Sequence, residues 1–227
     1  MTKSTLARKF LMAISGFFLI FFLFQHLVIN LLSVISESYF NNASHFMGTN
    51  FLVQFLLQPV LIFGVMFHLI MGMYLDYKNK SARPINYTFN KPDKNTSWVS
   101  RNMIITGIMI MLFLALHFYD FWIPEIKTKF IDGDWTGMHN NNLRYHHELV
   151  YKFEKPWRVG IYCISFIFLS LHLLHGFQSA FQSAGFNHNK YTPVIKKIGN
   201  LYAILIPFGF IMIAVFHYLK LTPILDI

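Results

Sequence analysis

Six of the 11 histidines, His26, His68, His117, His172, His175 and His217, lie in stretches otherwise made almost wholly of apolar residues. A neutral imidazole can ligate a metal, pass a proton or bridge two helices by a hydrogen bond, and it does the first without burying a charge. Where the surroundings are lipid-like, such groups are costly and turn toward the interior of a bundle. One alone reads as an interhelical hydrogen bond. Six, with two of them three residues apart in "SLHLLHG" (170–176), call for chemistry that uses them together.

The elements that must position these residues are five apolar blocks, at about 10–34, 51–75, 102–124, 159–180 and 198–219. Each is long enough to cross a hydrocarbon core of roughly 30 Å, which takes about 20 helical residues. Asp120 is the single charged residue within them, and 55% of the 227 residues are hydrophobic against 13% charged, which excludes an ordinary soluble domain. A backbone in lipid must satisfy its own hydrogen bonds, so the blocks are expected to be helices of one all-α integral membrane domain spanning 1–227. The first block is longer than a signal-peptide core and lacks a small-residue cleavage site, so it is read as retained. The one cysteine, Cys163, excludes an internal disulfide, a CxxCH haem attachment and a cysteine-held iron-sulfur cluster within this chain.

The net charge of +9 is not spread evenly. Taken alternately, the segments between the blocks sum to +10 on one side and −1 on the other. The positive-inside rule then puts the amino terminus and the basic side in the cytoplasm and the carboxyl terminus outside. A basic cytoplasmic face suits anionic lipid or an acidic docking partner, and argues against nucleic acid as the reason for the charge.

Topology converts residue number into depth. His68 lies seven residues before the basic-side end of the second block and His172 eight before that of the fourth. At 1.5 Å per residue both sit about 11–12 Å below that surface. His26 and His117 stand equally far from the opposite, neutral side, eight and seven residues before the ends of the first and third blocks. Four helices thus carry one histidine each, in two pairs at two depths. Each pair offers two nitrogen ligands and no nearby cysteine or carboxylate, which suits an iron porphyrin held axially better than structural zinc, which takes four protein ligands. Gly72 and Gly176 follow His68 and His172 by four residues, so a missing side chain on nearly the same helix face would let a flat ring approach. His172 is taken as the ligand in preference to His175, which is read as a polar contact near the haem or the basic surface. His217 has no unpaired partner at its depth and is read as a packed or interfacial histidine.

At these residues the chain resembles the dihaem cytochrome b membrane anchor of type B succinate:quinone oxidoreductases, the succinate dehydrogenase and fumarate reductase family. The matching stretches are "QHLVIN" around His26, "FNNASHFM" around His45, "FHLIMGMY" around His68, "LHFYDFW" around His117 and "LHLLHGFQS" around His172. They lie in the family's order and cover nearly all the chain. The resemblance implies a four-helix bundle enclosing two b haems with a fifth, peripheral helix. His68 and His172 would hold the proximal, cytoplasmic haem, and His26 and His117 the distal one. It further implies a flavoprotein and an iron-sulfur subunit on the cytoplasmic face, and menaquinone as the electron acceptor near the outer side. The setting would be a bacterial cytoplasmic membrane, with higher oligomers of the complex allowed. Dicarboxylate chemistry would lie in the partner, not in this chain.

The sequence departs from the family in two places. In its menaquinol-oxidising fumarate reductases a glutamate stands two positions before the helix-four ligand. Ser170 stands there here, which puts the proton route in doubt and favours succinate oxidation with menaquinone reduction. The connection between the third and fourth helices is long, with "IDGDW" and "YHHELVYKFEKPW", and is expected to contain a short interfacial helix. His45 fits a hydrogen bond to a quinone carbonyl or a distal propionate, or a solvated loop. Asn30 fits the quinone pocket or an interhelical contact. Ser15 and Arg101 fit the proximal propionates, or ordinary packing and snorkelling. His139, His146, His147 and His188 are expected at the surface, and Pro59 and Pro207 at kinks. Competing functions are a quinol-oxidising anchor, another bis-histidine membrane cytochrome, a cofactor-free transporter or proton channel, and a structural anchor without haem. The transporter reading expects midplane carboxylates and paired broken helices, which the sequence does not offer.

Overall fold

The computed structural model describes residues 5–81, 102–139 and 141–221. Arg101 lies outside them. Among the described residues the chain is helical apart from loops and one small hairpin, and five stretches are long and apolar enough to cross a membrane: Leu6–Ile35, Val53–Ser81, Met103–Ile131, Pro156–Ser183 and Thr192–Leu221. All five expected blocks are present, and each helix runs beyond its apolar block at one or both ends. The protein is an all-α, multi-pass membrane protein.

The helices are α1 (Thr5–Ile35), α2 (Glu37–Thr49), α3 (Gln58–Ser81), α4 (Met103–His117), α5 (Tyr145–Lys152), α6 (Pro156–Ser183) and α7 (Thr192–Leu221). α3 is entered through a π turn, Val53–Leu57, and α4 continues through π turns Phe118–Trp122 and Lys127–Ile131 around the short turn Ile123–Ile126. This explains why the third span does not stop at Pro124. A proline ring displaces the hydrogen bond of its own missing N–H, but Pro124 sits in the first turn after a π turn has already shifted the bonding register.

α1, α3, α4 and α6 form a ring in which α1 and α4 each touch both α3 and α6, and α7 lies against α6 and α1. The fifth helix therefore stands outside the four-helix ring, as expected, but it is not loosely attached. Its seam is tightly closed: Ala203 and Ala214 are wholly buried, and Phe210 stacks on Phe166 with ring centroids 5.2 Å apart. Small residues let the backbones close up there, the packing mode that joins helices where lipid removes the hydrophobic incentive. Large apolar residues such as Phe21, Phe63, Leu112, Ile164 and Phe208 face outward, as a lipid-exposed perimeter requires.

On the neutral side the loops fold into a cap. The long third connection does contain a short helix, α5, preceded by the antiparallel pair Met138–His139 and Asn142–Leu143. The Asn41 side chain on α2 accepts the His146 N–H at 2.8 Å, joining α2 to α5. Lys129, buried, donates to the Gly48 carbonyl and pairs with Glu125 at 2.6 Å; Arg144 pairs with Glu125 at 2.5 Å and Glu148 at 2.8 Å. Burial works against the Arg144 charge, but its hydrogen bonds to Glu148 and Glu125 outweigh it and raise its pKa. A buried knot of this kind holds together because each charge has a partner of opposite sign.

Candidate metal centre: two histidine pairs

The structure brings His68 on α3 and His172 on α6 face to face, with ring centroids 6.5 Å apart and planes at 70°. The Ser15 hydroxyl on α1 lies 2.9 Å from His68 Nδ1 and donates to the Met12 carbonyl at 2.8 Å. A hydroxyl has one proton. With that proton directed at Met12, Ser15 accepts from His68 in the tautomer that carries its proton on Nδ1 and leaves Nε2 with the free lone pair. Thr106 on α4 repeats the arrangement, its hydroxyl lying 2.9 Å from the Met103 carbonyl and 3.2 Å from His172 Nδ1. Both contacts are compatible with His68 and His172 as Nε2 donors.

Glycine opens the space beside the rings. A Cβ placed on Gly16 would stand 3.8 Å from His68 Cε1, and one on Gly107 3.8 Å from His172 Cε1. The glycines expected to do this, Gly72 and Gly176, chiefly admit methionine: their Cβ positions lie 3.5 Å from Met12 Cε and 3.4 Å from Met103 Cε, with His172 Cδ2 at 3.9 Å from the latter.

His26 on α1 and His117 on α4 form the second pair, with centroids 5.8 Å apart and planes at 87°. Here the neighbours are rings. Phe22 stacks on His26 at 5.4 Å and Phe113 on His117 at 5.7 Å, each one turn earlier on the same helix. His117 Nδ1 is buried and has no hydrogen-bond partner among the described residues. One turn beyond His117, Asp120 is enclosed and accepts the Tyr162 hydroxyl at 2.9 Å, with Arg158 at 3.4 Å and Lys152 at 3.9 Å supplying the balancing charge. The Tyr162 ring lies 6.4 Å from that of His117.

The weaker expectations are placed as follows. Ser15 reaches the His68 ring. Asn30 turns back on its own helix, its amide donating to the His26 carbonyl at 2.8 Å. His45 sits on α2, half-buried, with Nδ1 enclosed and without a partner among the described residues. The Tyr145 hydroxyl is likewise enclosed, and burial, with the Glu125 charge adding and Arg144 opposing, pushes it up to about 12. Both groups converge on Gly137 (φ 64°): a Cβ there would collide with the Tyr145 hydroxyl and stand 3.1 Å from His45 Nδ1. His175 is half-buried beside the basic-side layer. His217 is packed, as expected, but it has a partner that depth did not reveal: its ring lies 5.5 Å from that of His146, which is buried and not at the surface. Folding α5 back over α7 covers it. His139, His147 and His188 are exposed.

Thr106, Gly16, Gly107 and the two stacked phenylalanines were not singled out from the sequence, yet a signal for them exists. Residues 12–26, MAISGFFLIFFLFQH, align without a gap on residues 103–117, MIITGIMIMLFLALH. The methionine, the hydroxyl, the glycine, the phenylalanine and the histidine coincide. So does the partner motif, HLIMG at 68–72 against HLLHG at 172–176. Their contacts coincide as well: hydroxyl to histidine, methionine to glycine, phenylalanine on histidine. α1 with α3, and α4 with α6, are two copies of one unit, and each copy gives one histidine to each pair.

Chemically, the pairs fit a metal that brings its own equatorial donors. Among the described residues no three of His, Cys, Asp or Glu gather to hold a bare ion. Two metal–nitrogen bonds of about 2.0 Å plus the two ring radii separate imidazole centroids by roughly 6 Å, close to both observed spacings. Comparison with protein-family models, curated proteins and solved structures finds no match for the chain.

Proposed function

We propose that this chain is the dihaem cytochrome b anchor of a succinate dehydrogenase, passing electrons from an iron-sulfur subunit through two haems to menaquinone. The observation that carries the reading is the meeting of His68 with His172 and of His26 with His117 across one four-helix ring, at spacings that admit a metal between each pair. Bound there, b haem would supply reversible one-electron storage.

The residues of the chain do the rest. His68 and His172 present Nε2 lone pairs held by Ser15 and Thr106, and Gly16 and Gly107 leave the helix faces open beside them. Phe22 and Phe113 hold His26 and His117 by stacking and keep water from them. The basic segments face the cytoplasm, where a flavoprotein and an iron-sulfur subunit dock. The amino terminus is cytoplasmic and the carboxyl terminus external in a bacterial cytoplasmic membrane. Menaquinone binds on the neutral side, where His45 and Tyr145 keep unsatisfied polar atoms and Asn30 spends its amide N–H on its own helix. Ser170 favours succinate oxidation over quinol oxidation by fumarate.

A pyridine haemochrome assay on the purified complex tests this. Two b haems per chain are expected, with His68→Ala and His172→Ala removing one and His26→Ala and His117→Ala the other. A colourless complex, or His68→Ala and His172→Ala removing different haems, would overturn the reading. Turnover measured in both directions separates succinate dehydrogenase from fumarate reductase.

A further inference from the structure

We infer that Ser15 and Thr106 are positioning residues for the basic-side centre alone: by accepting Nδ1–H they fix His68 and His172 as a matched pair of Nε2 donors and tune the metal held between them. This rests on the function proposed above, adds Thr106 to it and gives Ser15 a role other than the propionate contact expected from the sequence. Three observations support it.

The first is proton accounting. Each hydroxyl also lies within hydrogen-bond distance of a carbonyl on its own helix, Ser15 of Met12 and Thr106 of Met103, so each has an outlet for its single proton and a lone pair free for an Nδ1–H. The group that meets each Nδ1 comes from the helix opposite the histidine, not from the histidine's own helix. The second is duplication. Ser15 and Thr106 occupy one position in the two copies of the repeat, 11 residues before His26 and His117, and both make the same pair of hydrogen bonds. The two copies carry different hydroxyl residues and make the same contact. The third is contrast. Among the described residues His117 has no such partner on Nδ1, and Ser33, 2.6 Å from the Asn30 carbonyl, meets the opposite nitrogen of a buried histidine, His217 Nε2, at 2.9 Å. Hydroxyl placement therefore differs from histidine to histidine, and at the basic-side pair it leaves Nε2 open on both partners.

The consequence follows from ligand basicity. An Nδ1–H that donates a hydrogen bond makes Nε2 a stronger base, which strengthens the metal bond and favours the higher oxidation state; partners of this kind also hold the ring in rotation. Removing the acceptor weakens the bond and raises the reduction potential.

The test uses the purified full complex with Ser15→Ala, Thr106→Val, and the hydroxyl-conserving Ser15→Thr and Thr106→Ser. Each haem is titrated potentiometrically by its optical band, and its release to a haem-scavenging protein is timed. Ser15→Ala and Thr106→Val are expected to raise the potential of the same haem, the one lost in His68→Ala, and to speed its release roughly tenfold. The other haem is unmoved, and the hydroxyl-conserving variants stay near the wild type. Unmoved potentials in both deletions overturn the inference. So do equal shifts in the two haems, or an effect of Ser15→Ala with none of Thr106→Val, which would mark Ser15 as a carboxylate contact instead. A complex that binds no haem overturns the proposed function with it, whereas two haems indifferent to the hydroxyls overturn this inference alone.

Discussion

The two histidine layers are built from one repeated unit and yet are held in different ways. At the basic-side layer each ring is gripped through its Nδ1 by a hydroxyl from the neighbouring helix. At the neutral-side layer each ring is gripped by a phenylalanine of its own helix, and the polar supplement comes from one copy only, through Asp120 and Tyr162. The first layer is symmetric in its donors and therefore couples α1 to α3 and α4 to α6 in the same way. The second is symmetric in its packing and asymmetric in its charge. A hydrogen bond fixes a tautomer and a stack does not, so the layers impose different demands on whatever sits between their rings. The two copies supply the scaffold, and Lys152 at the end of α5 and Arg158 in the first turn of α6, whose charges meet Asp120, break its equivalence.

The largest effect that separates the layers is ligand removal. On the proposed function, His172→Ala should abolish the basic-side haem while the neutral-side haem keeps its absorption band, and His117→Ala should do the converse, read by optical difference spectra of the purified complex. Next comes the asymmetric charge. Tyr162→Phe leaves the buried Asp120 short of a donor and should lower stability by about 1–3 kcal/mol, the usual penalty for an unsatisfied buried acceptor. Thermal unfolding in detergent measures it, and the basic-side band should be unaffected. A seam variant serves as the control for both. Gly199→Val would drive a side chain into Phe177, whose ring lies 2.6 Å from the Cβ position, and should destabilise by about 1–3 kcal/mol with neither band displaced. The smallest effect is the stack: Phe113→Leu should cost about 0.5–1.5 kcal/mol and shift only the neutral-side band. If Phe113→Leu moved the basic-side band instead, the layers would not be independent.

Much of this was legible in the residues. Block length and charge placement located five spans, and depth alone paired His68 with His172 and His26 with His117, because a helix advances a fixed distance per residue and two positions equally far from one surface lie in one layer. What depth could not supply was rotation. Ser15 and Asn30 stand at plausible depths, yet the fold turns Ser15 onto His68 and Asn30 back onto its own backbone. His146 read as a surface residue because it sits in a polar loop, and α5 folds it against His217. The third block read as ending at about 124 because the apolar run stops there, but π turns carry the helix on to Ile131.

The chain by itself determined how many spans there are and which histidines share a layer, since these follow from one-dimensional quantities: hydropathy, residue count and charge. Only the tertiary structure decided which nitrogen of His68 and His172 meets a hydroxyl, which glycines border the rings, and why the two layers differ. Those depend on hydrogen bonds and contacts between helices far apart in sequence, which exist only once the neighbours are in place.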